Sequence, residues 1–185
     1  MSESTQIRVF SVDDHPLLHE GLATVIRHQS DMLMVAEAAN GREAIQRFRE
    51  HVPDVTLMDL RLPDMSGIDA MIAIRSEFPE ARIIILTTFA GESEIRRAVE
   101  AGARAYLLKS MPPRELVEVI RQVHAGKTRI PQEVAAHLEG NSRESIAESP
   151  IGKPIREGAT AKESGQPQPS QGTVQRWVSH LFGRD

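Results

Sequence analysis

Between residues 7 and 126 the chain alternates short apolar runs with longer amphipathic segments, five times over. Apolar runs of this length suit buried strands. The segments between them carry apolar residues at i, i+3, i+4 and i+7, the stripe of a helix lying on a sheet. The predicted strands are 7–12, 33–37, 55–58, 82–86 and 105–108, and three of them are near-continuous apolar runs, as parallel strands covered on both faces should be. The predicted helix stripes are Leu18, Leu22, Val25 and Ile26; Ala44, Ile45 and Phe48; Ile68, Met71 and Ile72; Ile95, Ala98 and Val99; and Leu116, Val119, Ile120 and Val123. Punctuation agrees: Pro16 suits a first helical turn, Asn40-Gly41 a turn opening the second helix, and Ser66 with Asp69 a capping box. Gly102 suits the end of the fourth helix, Pro112-Pro113 the start of the fifth and Gly126 its stop. The expected fold is α/β, a doubly wound five-stranded parallel sheet with right-handed crossovers.

Composition removes several classes of chemistry. Cysteine is absent, which excludes disulfide staples, zinc ribbons, thiol nucleophiles and iron–sulfur clusters. No apolar run approaches the roughly 18–20 residues of a membrane span. The polar start MSESTQIRVF lacks the features of a secretory signal, so a cytoplasmic protein with no membrane partner is expected. Net charge is −4, divided as −5 over residues 1–140 and +1 over 141–185, and neither part has the basic balance of a dedicated nucleic-acid binder.

In an open α/β sheet, ligands sit beyond the carboxyl ends of the strands, near the point where strand order reverses. The residues leaving the strands therefore matter most. They are Asp13-Asp14, Asp59, Thr87-Thr88 and Lys109. Three carboxylates on one rim repel one another unless a cation sits among them, and an oxygen donor set favours Mg²⁺. Asp59 could then attack a phosphoryl donor, with the Lys109 ammonium and the Thr87 hydroxyl on the transferred group. Each residue alone has a plainer reading. Asp14 could cap the first helix, Lys109 could be a strand-end charge, and Tyr106 could be a half-buried sheet aromatic. Together, in chain order on four strand exits, they are harder to attribute to chance. His15 and His19 stand i, i+4 without the Glu of a zinc H-E-x-x-H pattern and read as surface histidines near a docking face.

The segments VDDHPLLHEGL, VTLMDLRLPDMSGIDA, IIILTTF and GARAYLLKS resemble the receiver domain of bacterial response regulators of the NarL/FixJ type, over residues 7–126. The resemblance implies a flavodoxin-like strand order 2-1-3-4-5 and a phosphorelay function with Mg²⁺ as cofactor. It implies Asp13 and Asp14 as the acidic metal pair, Asp59 as phosphoacceptor and metal ligand, and the backbone carbonyl of Arg61 as a further ligand. Thr87 would be the switch hydroxyl, Tyr106 the switch aromatic and Lys109 the phosphate-sensing lysine. Implied partners are a sensor histidine kinase and a second copy meeting it through helix 4, strand 5 and helix 5. Turnover of a separate substrate is not expected beyond slow autodephosphorylation. A haloacid-dehalogenase-type phosphatase would need an Asp two residues after the nucleophile, where this chain has Arg61, and no G-x-x-x-x-G-K-[ST] phosphate loop occurs.

Residues 1–126 are thus the expected receiver, 127–141 a linker, and 142–185 a degenerate remnant of a LuxR-type helix-turn-helix. Ser142-Arg143-Glu144, Arg156-Glu157-Gly158, Lys162-Glu163 and Ser170–Val174 resemble landmarks of that domain in order. Val174, Trp177, Val178 and Leu181 predict one helix over 173–182, whose Thr173, Arg176, Ser179 and His180 would face a DNA major groove. Against an intact domain, Pro150, Gly152 and Pro154 interrupt its first helix, and Ser164, Gly165, Pro167, Gln168 and Pro169 its scaffold helix. Four short helices with their connections need about 55 residues, and 45 follow Gly140. Two outputs stay open: transcription regulation through DNA, or an adaptor acting through protein contacts alone.

Overall fold

The computed structural model describes residues 6–88 and 91–130. In chain order these form β1 (Ile7–Val12), α1 (Pro16–Arg27), β2 (Met32–Ala38), α2 (Gly41–His51), β3 (Val55–Met58), α3 (Gly67–Glu77), β4 (Ile83–Thr87), α4 (Glu92–Glu100), β5 (Ala105–Leu108) and α5 (Pro113–His124). All strand pairs are parallel, in the order β2-β1-β3-β4-β5. The expected flavodoxin-like fold is therefore the one observed.

Side-chain alternation divides the core in two. Ile84 and Leu86 point to the face covered by α1 and α5, where they meet Leu22, Ile26, Leu116 and Ile120. Ile83 and Ile85 point the other way, to Phe48, Met71, Ile74, Ile95 and Ala98 of α2, α3 and α4. A strand whose alternate residues both enter cores needs an unbroken apolar run, which explains IIIL. Strand order reverses at β1, with β2 on one side and β3 on the other, so a crevice opens beyond the carboxyl ends of β1 and β3.

Three boundaries or faces differ from the sequence reading. β2 extends to Met32 and Ala38, because its pairing with β1 runs the full length of that strand. β4 begins one residue later and takes in Thr87, which pairs with Leu108 and is fully buried. Ile72 does not join the α3 stripe: it is 49% exposed, while Ile68, Met71 and Ile74 occupy the sheet-facing side one turn apart.

The caps follow the sequence closely. Asn40 adopts extended backbone and its side chain accepts the N–H of Glu43, while Asp64, from the β3–α3 loop, accepts the N–H groups of Gly41 and Arg42 at 2.7 and 2.9 Å. Gly102 supplies the left-handed residue after α4, at φ 93°. Beyond α5 the chain returns to the sheet. Arg129, expected to be linker, pairs with Ala105 at the β5 edge, donating its N–H to the Arg104 carbonyl and accepting the N–H of Tyr106. Residues 131–141 of the expected linker and the 142–185 remnant, with its 173–182 helix, lie outside the described residues.

Candidate functional site

Register builds the site before any side chain does. Val12 pairs with Met58, so the residues after them, Asp13 and Asp59, leave adjacent strands side by side; the Asp59 N–H donates to the Val12 carbonyl at 2.8 Å. One strand pair further along, the Lys109 N–H donates to the Thr87 carbonyl at 2.7 Å. Four strand exits thus form one rim.

Lys109 reaches back into that rim with its whole side chain buried. Its Nζ pairs with Asp13 Oδ2 and lies 3.0 Å from Asp59 Oδ2. Burial alone would discharge the ammonium, but the Asp13 and Asp59 carboxylates prevail and hold its pKa above the ordinary lysine range. Asp59 is pushed the other way. Burial, and to a lesser degree the Asp13 charge, raise it to about 6 against the opposing pull of Lys109 and the Arg61 backbone N–H. Asp14 completes the group on the open side, 40% exposed.

The ligand atoms of Asp13, Asp14, His15 and Asp59 all lie within 4.8 Å of one another. Three carboxylates against one ammonium leave two formal negative charges, the complement of one divalent cation. Lys109 occupies the Oδ2 atoms of Asp13 and Asp59, while Asp13 Oδ1 accepts the His15 N–H at 2.9 Å. The donor set fits Mg²⁺, a hard ion that takes one or two carboxylates and keeps several waters.

Thr87 and Tyr106 stand one layer behind this rim. Tyr106 is buried, packed on the α2–α4 face of the sheet among the residues that include Ile83, Ile85 and Ile95. Its phenol is raised above the ordinary tyrosine range by burial first and by the Glu94 charge second, with smaller influences from Arg61 and Asp59.

Two neighbours escaped the sequence reading in their roles. His15 and His19 are not free surface histidines, because the turn into α1 folds them back on the strand end: His15 Nδ1 stands 2.8 Å from Asp14 Oδ1 and 3.1 Å from Asp13 Oδ1, and His19 Nε2 lies 2.6 Å from the Asp13 carbonyl. Gly67, at the start of α3, packs its backbone on the Asp59 carbonyl so closely that an added Cβ would lie 1.9 Å from that oxygen. The glycine after Ser66 was the only visible signal for the second. For the first, nothing in the spacing fixes the ring orientation. Thr173, Arg176, Ser179 and His180 lie outside the described residues.

A doubly wound sheet with a carboxylate trio and a buried lysine at the switch point defines an acidic α/β centre of a kind that holds a divalent cation. Residues 9–121 match the model of the response regulator receiver domain, and the chain belongs to that family. It is 33% identical over 137 residues to the response regulator protein VraR of Staphylococcus aureus, a match covering 74% of this chain and 66% of the relative. Among solved structures it is similar to a LuxR-family two-component response regulator from Aurantimonas sp. SI85-9A1, with 38% identity, a TM-score of 0.67 and coverage of 76% of this chain and all of that one. It is also similar to the receiver domain of the putative response regulator NarL from Mycobacterium tuberculosis, with 30% identity, a TM-score of 0.64 and coverage of 66% and 99%. Among the described residues, no helix is long and apolar enough to cross a membrane.

Proposed function

We propose that this chain is a phosphorelay regulator that accepts a phosphoryl group on Asp59 from a sensor histidine kinase. The observation that carries this reading is the burial of Asp59 at the β3 terminus with Lys109 Nζ 3.0 Å away and Asp13 and Asp14 alongside. The Asp59 carboxylate attacks phosphorus, the N–P bond of the kinase phosphohistidine breaks, and its imidazole departs with the bonding pair. An aspartyl phosphate results. Lys109 stabilises charge on the equatorial oxygens, and the Thr87 hydroxyl, at the adjacent strand end, hydrogen-bonds a phosphoryl oxygen once it forms. Asp13, Asp14, Asp59 and the Arg61 carbonyl would hold Mg²⁺, which supplies charge neutralisation at the transferring group.

The switch then runs through Thr87 to Tyr106, and from Tyr106 to the α4–β5–α5 face, where a second copy would dock. The output is transcription regulation, with Thr173, Arg176, Ser179 and His180 as the DNA-facing residues. Support comes from the LuxR-family description of the Aurantimonas relative. The test is labelling by acetyl phosphate in Mg²⁺, read by intact-protein mass. Wild type should gain one phosphoryl group and Asp59→Asn none, because an amide is no nucleophile here. Undiminished labelling of the variant overturns the assignment.

A further inference from the structure

The two edges of the sheet differ. Arg129 pairs with Ala105 along the β5 edge, whereas among the described residues nothing pairs with the outer side of β2. We propose that β2 is a self-association edge, at which two copies of the chain join antiparallel β2 strands about a two-fold axis perpendicular to the sheet. The contact lies at the opposite edge from the α4–β5–α5 face and needs no phosphoryl group.

Pairing with β1 decides which backbone groups of β2 are free. The Ile7 N–H donates to the Asp31 carbonyl at 2.8 Å and the Asp13 N–H to the Ala38 carbonyl at 2.9 Å. Alternate residues of a parallel strand turn both peptide groups the same way, so Leu33, Ala36 and Ala38 face β1, with a register slip at Val35 taken up between them. Met34 and Glu37 therefore turn their N–H and C=O groups outward. β2 carries no Lys or Pro to guard this edge, and Leu33 is 49% exposed on it. The edge forms the floor of a groove of about 600 Å³, bordered by Ala23 of α1 and Arg47 of α2.

Shape and charge both select a second copy as the occupant. The bulge at Val35 bends β2 away from a straight template strand, but the two-fold sets an identical bulge opposite it. Met34 of each copy then exchanges N–H···O bonds with Glu37 of the other, and no like charges stand opposite one another on the strands. Along the same edge, α1 exposes Glu20 and Arg27 two turns apart, with Ala23 and Thr24 between them. Neither charge has an ion-pair partner among the described residues; Arg27 reaches only the Thr24 hydroxyl. An axis that pairs β2 with β2 lays α1 antiparallel to α1 on one face. Glu20 of each copy therefore meets Arg27 of the other, and the small residues between them let the helices approach.

Analytical ultracentrifugation of the full chain without phosphodonor tests this. Wild type should dimerise, and Glu20→Arg and Arg27→Glu should each weaken the dimer by about tenfold or more, because each sets like charges against each other across the axis. An equimolar mixture of these two variants should recover the dimer, since every pair across the axis then joins an arginine on one copy to a glutamate on the other. Glu37→Pro removes an N–H that the single copy does not use, a position where an edge strand tolerates proline, and should abolish the dimer while circular dichroism stays that of wild type. Wild type that remains monomeric at millimolar concentration overturns the proposal. So does a dimer indifferent to both charge reversals, or a mixture no more associated than its components. If Glu37→Pro does not fold, the mixture decides by itself, because its two substitutions sit on the exposed side of α1.

Discussion

At the scale of single residues, the centre stores unfavourable charge. A carboxylate that titrates near 4 in an unfolded chain titrates at about 6 for Asp59 in the fold. Between those values the folded state binds the extra proton. Stability contributed at Asp59 is therefore present at low pH and lost as pH rises from about 4 to about 6. Without divalent cation, Asp59→Asn should raise stability at pH 7 by about 1–3 kcal/mol and leave it nearly unchanged at pH 4. Thermal melts at the two pH values check both the sign and the window. Lys109 has the opposite character. Its removal leaves Asp13 and Asp59 buried without their counter-charge, so Lys109→Ala should cost about 3–5 kcal/mol. Urea denaturation measures this, and a loss below 1 kcal/mol would show that the pair is far better solvated than its burial implies.

At the scale of elements, the β3–α3 connection holds Asp59 in place from behind. Gly67 lies against the Asp59 carbonyl with no room for a Cβ, so Gly67→Ala must push α3 away from the end of β3. It should cost about 2 kcal/mol or more and slow acetyl phosphate labelling even though no reacting group is touched. Labelling at the wild-type rate would mean the loop relaxes without moving Asp59. The same connection also caps α2 through Asp64. Asp64→Ala should lower stability by about 1 kcal/mol and leave labelling intact, since its contacts lead away from the rim.

At the scale of the whole molecule, the buried Tyr106 and the segment after α5 share hydrogen bonds. Tyr106 donates its N–H to the Arg129 carbonyl, Arg129 donates to Arg104, and the Arg129 guanidinium pairs with Glu115 on α5. The pairing is a single isolated bridge between Ala105 and Arg129. Hydrogen exchange by mass spectrometry, with and without acetyl phosphate in Mg²⁺, should show protection changing at Tyr106 and Arg129 together. The central strands β1, β3 and β4 should stay fully protected. Change at Tyr106 with none at Arg129 would separate the switch from the exit segment.

The sequence by itself determined the order of elements, their faces and the line of chemistry along one rim. Periodicities of two and 3.6 are local and survive in a string of letters, and a strand exit can be read from the run that precedes it. Asp13, Asp59, Thr87 and Lys109 were legible for that reason. Ile72 was misplaced because a three-residue stripe leaves the helix phase loose by about one position, and β4 shifted by one because Thr87 resembles an exit rather than the strand residue its partner Leu108 makes it. What only the tertiary structure decided depends on distance in space. The Val12–Met58 register sets Asp13 beside Asp59, burial drives Asp59 to about 6, and the fold turns the His15 ring onto two carboxylates. None of these is encoded in spacing along the chain, because each arises where separate segments exclude water together.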